Sequence, residues 1–388
     1  MSNYPTSGSG IMDNTLLNRF YDDHVKMIRD ETRQNIKVVM PIVEDILQYV
    51  HSQDRRFKCQ PLNVGSYYTH LKVSRADEFD FSVVLDTPHL VWSSKSSSHS
   101  YGFDENNEVV RKGLTLPDPP VGKGFIYLSN TIPKWNREGI NDGPACLTID
   151  VDIIPIKVKR RFKSLVGEAV NRPHIRKYVD AKRLSDSPAT TLRITHPQIA
   201  GDSVSVDLTP LIESCTPFEE SFMWPRQETQ WPSNEKVEKL KSMGFHDIAK
   251  DPFYWTYSYA SCEKELLEGI DANGTCRKKS QRIMKKLKEA WCPEGMKQDL
   301  TSYHLKNILF WECEDHSHDY EWSDDKLATR LRSMCDRLLK CIREENVPQY
   351  FHPRVNLFST KDIDVLNQVA RNIQKFLRDP VSYLQRHY

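Results

Sequence analysis

The sequence predicts an α+β fold in two lobes, and three observations carry that prediction. A helical apolar period runs from Leu17 to Val50, strand-like alternation with turn signals occupies the segments around 78–85 and 189–209, and the pattern beyond residue 215 is largely helical. At 388 residues the chain holds one large two-lobed unit or two ordinary domains, either with a substantial core. A composition 38% apolar and 28% charged belongs to a folded globular protein and excludes the disordered and fibrous classes.

The elements follow in chain order. Residues 1–13 are small and polar and read as a disordered tail. Leu17, Phe20, Val25, Ile28, Ile36, Val39, Val43, Ile46, Leu47 and Val50 keep one face of a helix, which predicts a single long helix bent at Pro41. Phe79, Phe81, Val83 and Leu85 then alternate with Glu78, Asp80 and Ser82, as in a half-buried strand with acids on its open side. Residues 91–121, rich in Ser, Gly, Asn and Pro, read as a surface loop. Phe162, Leu165, Val166 and Val170 mark a helix, and strands at 189–195 and 203–209 flank the turn HPQIAGD as a hairpin. The connection TPFEESFMWPRQETQWPS leads into a second lobe with helices at 262–291, 300–312 and 324–344, the last behind Ser323 as N-cap. The expected division is a tail at 1–13, a core with its spine helix at 14–215, and a C-terminal helical lobe at 216–388.

Charge and cysteine usage narrow the function classes. A net charge of +1 rules out a wholly basic coat, so a polyanionic partner needs a local patch. Two clusters offer one: Lys157, Lys159, Arg160, Arg161, Lys163, Arg176 and Lys177, and then Arg277, Lys278 and Lys279. Either alone reads equally well as a solvated helix face. Nine cysteines without a CxxC pair fit reduced thiols rather than a disulfide framework. No apolar run reaches the ~18 residues that span a bilayer, and the start MSNYPTSGSGIMDN lacks the segments of a signal peptide. A cytoplasmic protein without membrane contact is expected.

Three short pieces carry the chemistry. In Val64-Gly65-Ser66-Tyr67-Tyr68 the glycine permits close backbone approach, and the serine offers an N–H and a hydroxyl to phosphate. In Glu78-Phe79-Asp80 the two-residue spacing puts both carboxylates on one face of a strand, where they repel unless a cation lies between them. Asp207 stands on the polar face of the alternating run SVSVDLT. Three carboxylates on adjacent strands supply the hard oxygen ligands of a two-metal phosphoryl-transfer site. A Gly-Ser pair, an ExD about a dozen residues later and a distant single Asp follow the pattern of the nucleotidyltransferase superfamily. Asp152, in DVDIIP, is the competing third acid, but a basic helical stretch follows it at once, so it reads as the acid capping that helix. Asp207 lies on the second strand of a hairpin, and on the residues alone the choice between the two acids stays open.

The stretches GSYYTHLKVSRADEFDFSVVL, SPATTLRIT with VSVDLTPLIES, FYWTYSYASCEKELL, TSYHLKNILFWEC and YFHPRVNLFS resemble the cyclic GMP-AMP synthase (cGAS) family and the animal cGAS-like receptors, collinearly and almost to the C-terminus. The resemblance implies a bilobed nucleotidyltransferase fold, with a mixed sheet, a long N-terminal spine helix and a C-terminal helical lobe. It implies that Glu78, Asp80 and Asp207 hold Mg²⁺ or Mn²⁺, that Gly65, Ser66, Lys285 and Ser302 contact triphosphate, and that Tyr303 and Ser258 contact bases. The family has an arginine where this chain has Thr256, so the bases of the product stay open. The zinc-binding insertion of the DNA-sensing member is replaced by SCEKELLEGIDANGTCRKKS, with Cys262 and Cys276 far apart and no histidine, so no structural zinc is expected. Cys313, His316 and His318 have metal-like spacing but read as an acidic solvated turn.

The same resemblance implies an innate immune receptor. Double-stranded nucleic acid, RNA favoured over DNA, would dock on it, reorder the Gly-Ser loop and start synthesis of a cyclic dinucleotide from ATP, GTP or other triphosphates for a downstream receptor. Two other readings stand beside this one: a non-catalytic binding or developmental protein on the same fold, and a nucleotidyltransferase that extends RNA ends.

Overall fold

The computed structural model describes residues 12–26, 29–63, 69, 71–73, 78–87, 90–94, 100–112, 115–128, 146–181, 189–216, 218, 222–227, 229–292, 295 and 298–388. It is a mixed α+β fold with one principal sheet and a helical C-terminal region, as the sequence predicts. The Gly65-Ser66 turn lies outside the described residues.

The N-terminal apolar period belongs to two helices rather than one. α1 (Asn14–Phe20) runs into a π-helical turn, Tyr21–Val25, and α2 (Arg29–Gln53) follows with Pro41 inside it. The period survives the break because each part buries one face, although against different cores. Leu16, Leu17, Phe20 and Val25 pack into the helical lobe, while Val39, Val43, Ile46, Leu47 and Val50 pack under the sheet. Of the segment expected to be a tail, Met12 is buried in the helical lobe and Asp13 caps α1, its side chain accepting from the Leu16 N–H at 2.7 Å.

The sheet runs in the order β1 (Phe57–Asn63), β2 (Glu78–Leu85), β11 (Val204–Thr216), β12 (Phe245–Ile248), β13 (Trp255–Ser258), β6 (Lys123–Leu128), β8 (Asp152–Ile153), β7 (Thr148–Ile149). Off this path, β3 (Leu90–Ser93) pairs with β6, and β10 (Thr190–Ile194) pairs with β11 and with β9 (Val179–Ala181). The expected hairpin is β10–β11, but β11 continues to Thr216. Its first half therefore pairs with β10, and its second half is free to pair with β12. β12 and β13 come from the segment expected to be helical, and β3 with the small hairpin β4 (Tyr101–Phe103) and β5 (Val109–Arg111) replaces much of the expected loop at 91–121.

Beneath the sheet, α2 and α3 (Pro155–Val170) cover a core that includes Phe57, Phe79, Phe81, Phe162, Val206, Leu208 and Trp255. Burying each such side chain contributes roughly 1.5–3 kcal/mol. Pro155 starts α3, where its missing N–H costs nothing. Ile154 is the N-cap residue, so Asp152 does not cap this helix. It sits instead in β8, opposite Tyr127 and Ile149.

The C-terminal region holds α4 (Asn234–Met243), α5 (Ala260–Leu267), α6 (Arg277–Trp291), α7 (Ser302–Asp315), α8 (Leu327–Arg343), α9 (Ile363–Arg378) and α10 (Pro380–His387). The helix expected over 262–291 is broken into α5 and α6, because Gly269 and Gly274 adopt left-handed backbone at φ +69° and +72°. α7 begins in a capping box, with Thr301 and His304 satisfying each other's backbone N–H. Ser323 precedes a 3₁₀ turn, Asp324–Lys326, rather than α8 itself. No helix among the described residues is long and apolar enough to cross a membrane.

Glu312 on α7 is fully buried, and its carboxylate accepts from Arg337 Nε at 3.0 Å and faces Arg330 at 3.5 Å. Removing one member of such a cluster strands the opposite charge. Glu312→Ala should therefore lower the stability of the helical lobe by about 3–5 kcal/mol, read as a fall in the denaturation midpoint.

Candidate active site

The two acids of the ExD motif open β2, and the third stands four positions into β11. The strands are parallel, and their register sets Asp207 opposite Asp80 and Ser205 opposite Glu78. Side chains directly opposite share a face, so Glu78, Asp80 and Asp207 project together. One carboxylate oxygen from each lies within 4.8 Å of the others, close enough for a shared cation. On the other edge of β11, Thr191 stands opposite Asp207, and its hydroxyl donates to Asp207 Oδ1 at 2.6 Å, fixing that carboxylate. The same face continues across the sheet through Leu211 and Ile248 to Thr256, and through His246 to Ser258. Ser258 is thus on the side that carries the acids.

Burial together with the charges of Glu78 and Asp207 pushes the Asp80 carboxyl up to about 6, against partial relief from Lys72 and Lys306. This is the electrostatic condition that a divalent cation relieves, and the oxygen-only donor set fits Mg²⁺ or Mn²⁺.

The opposing wall is basic. Lys72 Nζ lies 3.5 Å from Glu78 Oε2. Lys285, on α6, donates to the Leu71 carbonyl at 2.9 Å, and burial with the nearby Lys72, Lys306 and Lys288 lowers its ammonium to about 7. Ser302 and Tyr303 form the first turn of α7. Tyr303 is half-buried, its hydroxyl accepts from Gln349 Nε2 at 3.3 Å, and burial beside Glu263 pushes its phenol well above its ordinary value. One turn further along α7, Lys306 pairs with the buried Glu263 of α5 and lies 5.4 Å from the centre of the Tyr303 ring. Lys72, Thr191, Glu263 and Lys306 are site residues that the sequence reading did not name. Lys72 and Lys306 fall inside the quoted stretches, and Lys306 stands four residues after Ser302, on the same helical face.

The basic clusters divide. Arg277 is 1% exposed, with its guanidinium bound to Asp319 at 2.7 Å and to Thr275, so it is a buried structural arginine and not a nucleic-acid contact. Arg161 bonds the buried Asp54 at 3.3 Å, Arg160 pairs with Glu108, and Lys279 lies over the Tyr21 ring at 5.2 Å, and all three stay half-exposed. Lys278 is half-buried. Arg176 and Lys177 are exposed, and Lys157, Lys159 and Lys163 line α3 half-exposed. Cys262 and Cys276 are buried thiols in different contacts, Cys262 donating to the Gly244 carbonyl at 3.1 Å. Cys313 is buried in the core, His316 bonds Glu321 at 3.0 Å, and His318 stacks on Tyr320.

Acids clustered on paired parallel strands and faced by the lysines of a helical lobe define a nucleotidyltransferase-type protein. Sequence comparison agrees: residues 67–269 match the Mab-21 protein nucleotidyltransferase domain, and residues 276–375 match the Mab-21 protein HhH/H2TH-like domain. The chain belongs to the Mab-21 family, within the cGAS/Mab-21 nucleotidyltransferase superfamily. It is 28% identical to protein mab-21-like 3 of Danio rerio, over 96% of this chain and 98% of the relative. It is 26% identical to protein mab-21-like 3 of Xenopus laevis, over 89% and 90%, and 24% identical to protein mab-21-like of Drosophila melanogaster, over 94% and 92%.

A carboxyl raised in the fold contributes stability that is complete below its ordinary value of 3.8 and is lost as pH rises through about 6. Thermal melts in chelator should therefore show wild type losing stability across that window, and Asp80→Asn should flatten the loss. Divalent-cation affinity should fall as pH is lowered through about 6, since proton and metal compete for one carboxylate.

Proposed function

We propose that this chain is a ligand-gated, metal-dependent nucleotidyltransferase of the cytoplasm, which condenses nucleoside triphosphates into a cyclic dinucleotide second messenger in innate immune defence. The observation that carries the reading is the register of Asp80 against Asp207, which with Glu78 brings carboxylate oxygens within 4.8 Å. When bound, divalent cations lower the pKa of the attacking hydroxyl and neutralise the leaving pyrophosphate. The chain's own residues do the rest. Glu78, Asp80 and Asp207 hold the ions, with Thr191 fixing the Asp207 carboxylate. Lys285 and Ser302, with Gly65 and Ser66, hold triphosphate, and Lys306 adds positive charge beside Tyr303. Tyr303 and Ser258 position bases, and Thr256 offers a hydroxyl rather than a guanidinium on the same face. The product is released to a downstream receptor.

The gating ligand is double-stranded nucleic acid, RNA in preference to DNA, recognised through its backbone. Of the basic residues, Arg176 and Lys177 are exposed, and Lys157, Lys159, Arg160, Arg161, Lys163, Lys278 and Lys279 are half-exposed.

The reading is tested by incubating the protein with radiolabelled triphosphates and Mg²⁺ or Mn²⁺, with double-stranded RNA, double-stranded DNA or no ligand. One small phosphatase-resistant product that depends on RNA, and is absent with Glu78→Gln or Asp80→Asn, is expected. A ladder of products would make the chain an RNA-end-extending enzyme, full rate without ligand would remove the sensor role, and no product under any condition would leave a non-catalytic binding protein. Paired Arg176→Glu and Lys177→Glu should weaken RNA binding equally for all sequences and reduce the salt slope by roughly one unit per lost phosphate contact, whereas Arg277→Met should lower the melting temperature instead.

A further inference from the structure

Lys72 is the most buried cation near the triad, and its position is unusual for an ion pair. Its side chain is 8% exposed, while that of its partner Glu78 is 54% exposed. The desolvated member of the pair is therefore the ammonium, and a buried ammonium is stable only beside a negative charge. The neighbouring residue is anchored from the other lobe. Leu71 is 3% exposed within the helical-lobe core, and its carbonyl accepts from Lys285 at 2.9 Å. Lys72 itself lies in neither helix nor strand, whereas Glu78 and Asp80 are fixed in β2.

We propose that Lys72 is the stand-in cation of the metal site: in the ligand-free chain its ammonium compensates the triad, and a divalent ion binds by displacing it. A metal ion held by these carboxylates would sit about 2.0–2.6 Å from their oxygens. An ammonium 3.5 Å from Glu78 Oε2 would then lie in the first or second layer around that ion, where like charges in a low-dielectric cleft repel strongly. Displacement needs only side-chain rotation, because Leu71 holds the backbone. The displaced ammonium stays next to Lys285 and Lys306, on the wall where phosphate oxygens would take over as its counter-charge. Lys72 thus couples metal entry to triphosphate entry, a linkage that rests on the metal-site reading above.

The test is Mn²⁺ titration without nucleotide, followed by electron paramagnetic resonance and calorimetry, on wild type, Lys72→Met, Lys72→Arg and Asp80→Asn. Lys72→Met should bind Mn²⁺ about ten-fold more tightly than wild type, because the competing charge is gone. Lys72→Arg should bind no more tightly than wild type, and Asp80→Asn should lose binding. Equal or weaker affinity in Lys72→Met overturns the inference and leaves the metal site standing. Absence of Mn²⁺ binding to wild type and Lys72→Met alike overturns both. Each variant is first checked for a cooperative melt, and Lys72→Gln carries the same expectation should the methionine variant fail it.

Discussion

The parallel pairing of β2 with β11 is the constraint on which the rest of this structure depends. Parallel neighbours cannot be joined by a tight turn, so the chain makes a long crossover between Leu85 and Val204, and α3 lies within it. That crossover seats α3 beside α2 under the sheet, and the shared core of Phe79, Phe81, Val206 and Leu208 locks the register. A slip of one residue by either strand would turn that strand's acid into the core and part it from the others. Hydrophobic packing on one face therefore holds three repelling carboxylates together on the other.

The length of β11 does a second job. Its first half presents Asp207 between Asp80 and Thr191, and its second half, beyond the end of β10, carries the sheet on to β12 and β13. Asp207, Thr256 and Ser258 thus stand on one continuous face of the sheet. The helical lobe closes over that surface from α5, α6 and α7, whose side chains Glu263, Lys285, Tyr303 and Lys306 meet at its edge. The N-terminal segment ties the lobes together, since α1 packs with the helical lobe and α2 with the sheet.

Where a pattern was local, the sequence was legible. The alternation of 78–85 and of the 189–209 hairpin marked the strands that bear the acids, and the helical period marked α3, α7 and α8. β12 and β13 escaped notice because each is four residues long, too short for an alternating pattern to stand out. The spine break was hidden because each part buries an apolar face, although against different cores. Charges misled wherever the partner was distant in sequence. Arg277 looks like part of a solvated basic face until Asp319 is brought to it by the fold, and the Glu263–Lys306 pair spans two helices.

Charge balance explains why such a cleft is stable before anything binds. The carboxylates of Glu78, Asp80, Asp207 and Glu263 stand against the ammonium groups of Lys72, Lys285, Lys288 and Lys306, and burial, together with Glu78, Asp207, Lys72, Lys288 and Lys306, shifts Asp80 and Lys285. A nucleoside triphosphate and its divalent cations carry opposite charges that largely cancel, so their joint arrival leaves the balance unchanged, whereas either alone upsets it. On the proposed reading a lone metal would meet the ammonium of Lys72, and a lone triphosphate would meet the carboxylates of the triad. If the proposed reaction holds, a site balanced in this way would favour the metal-nucleotide complex over its parts, through lysines contributed partly from outside the strands that bear the acids.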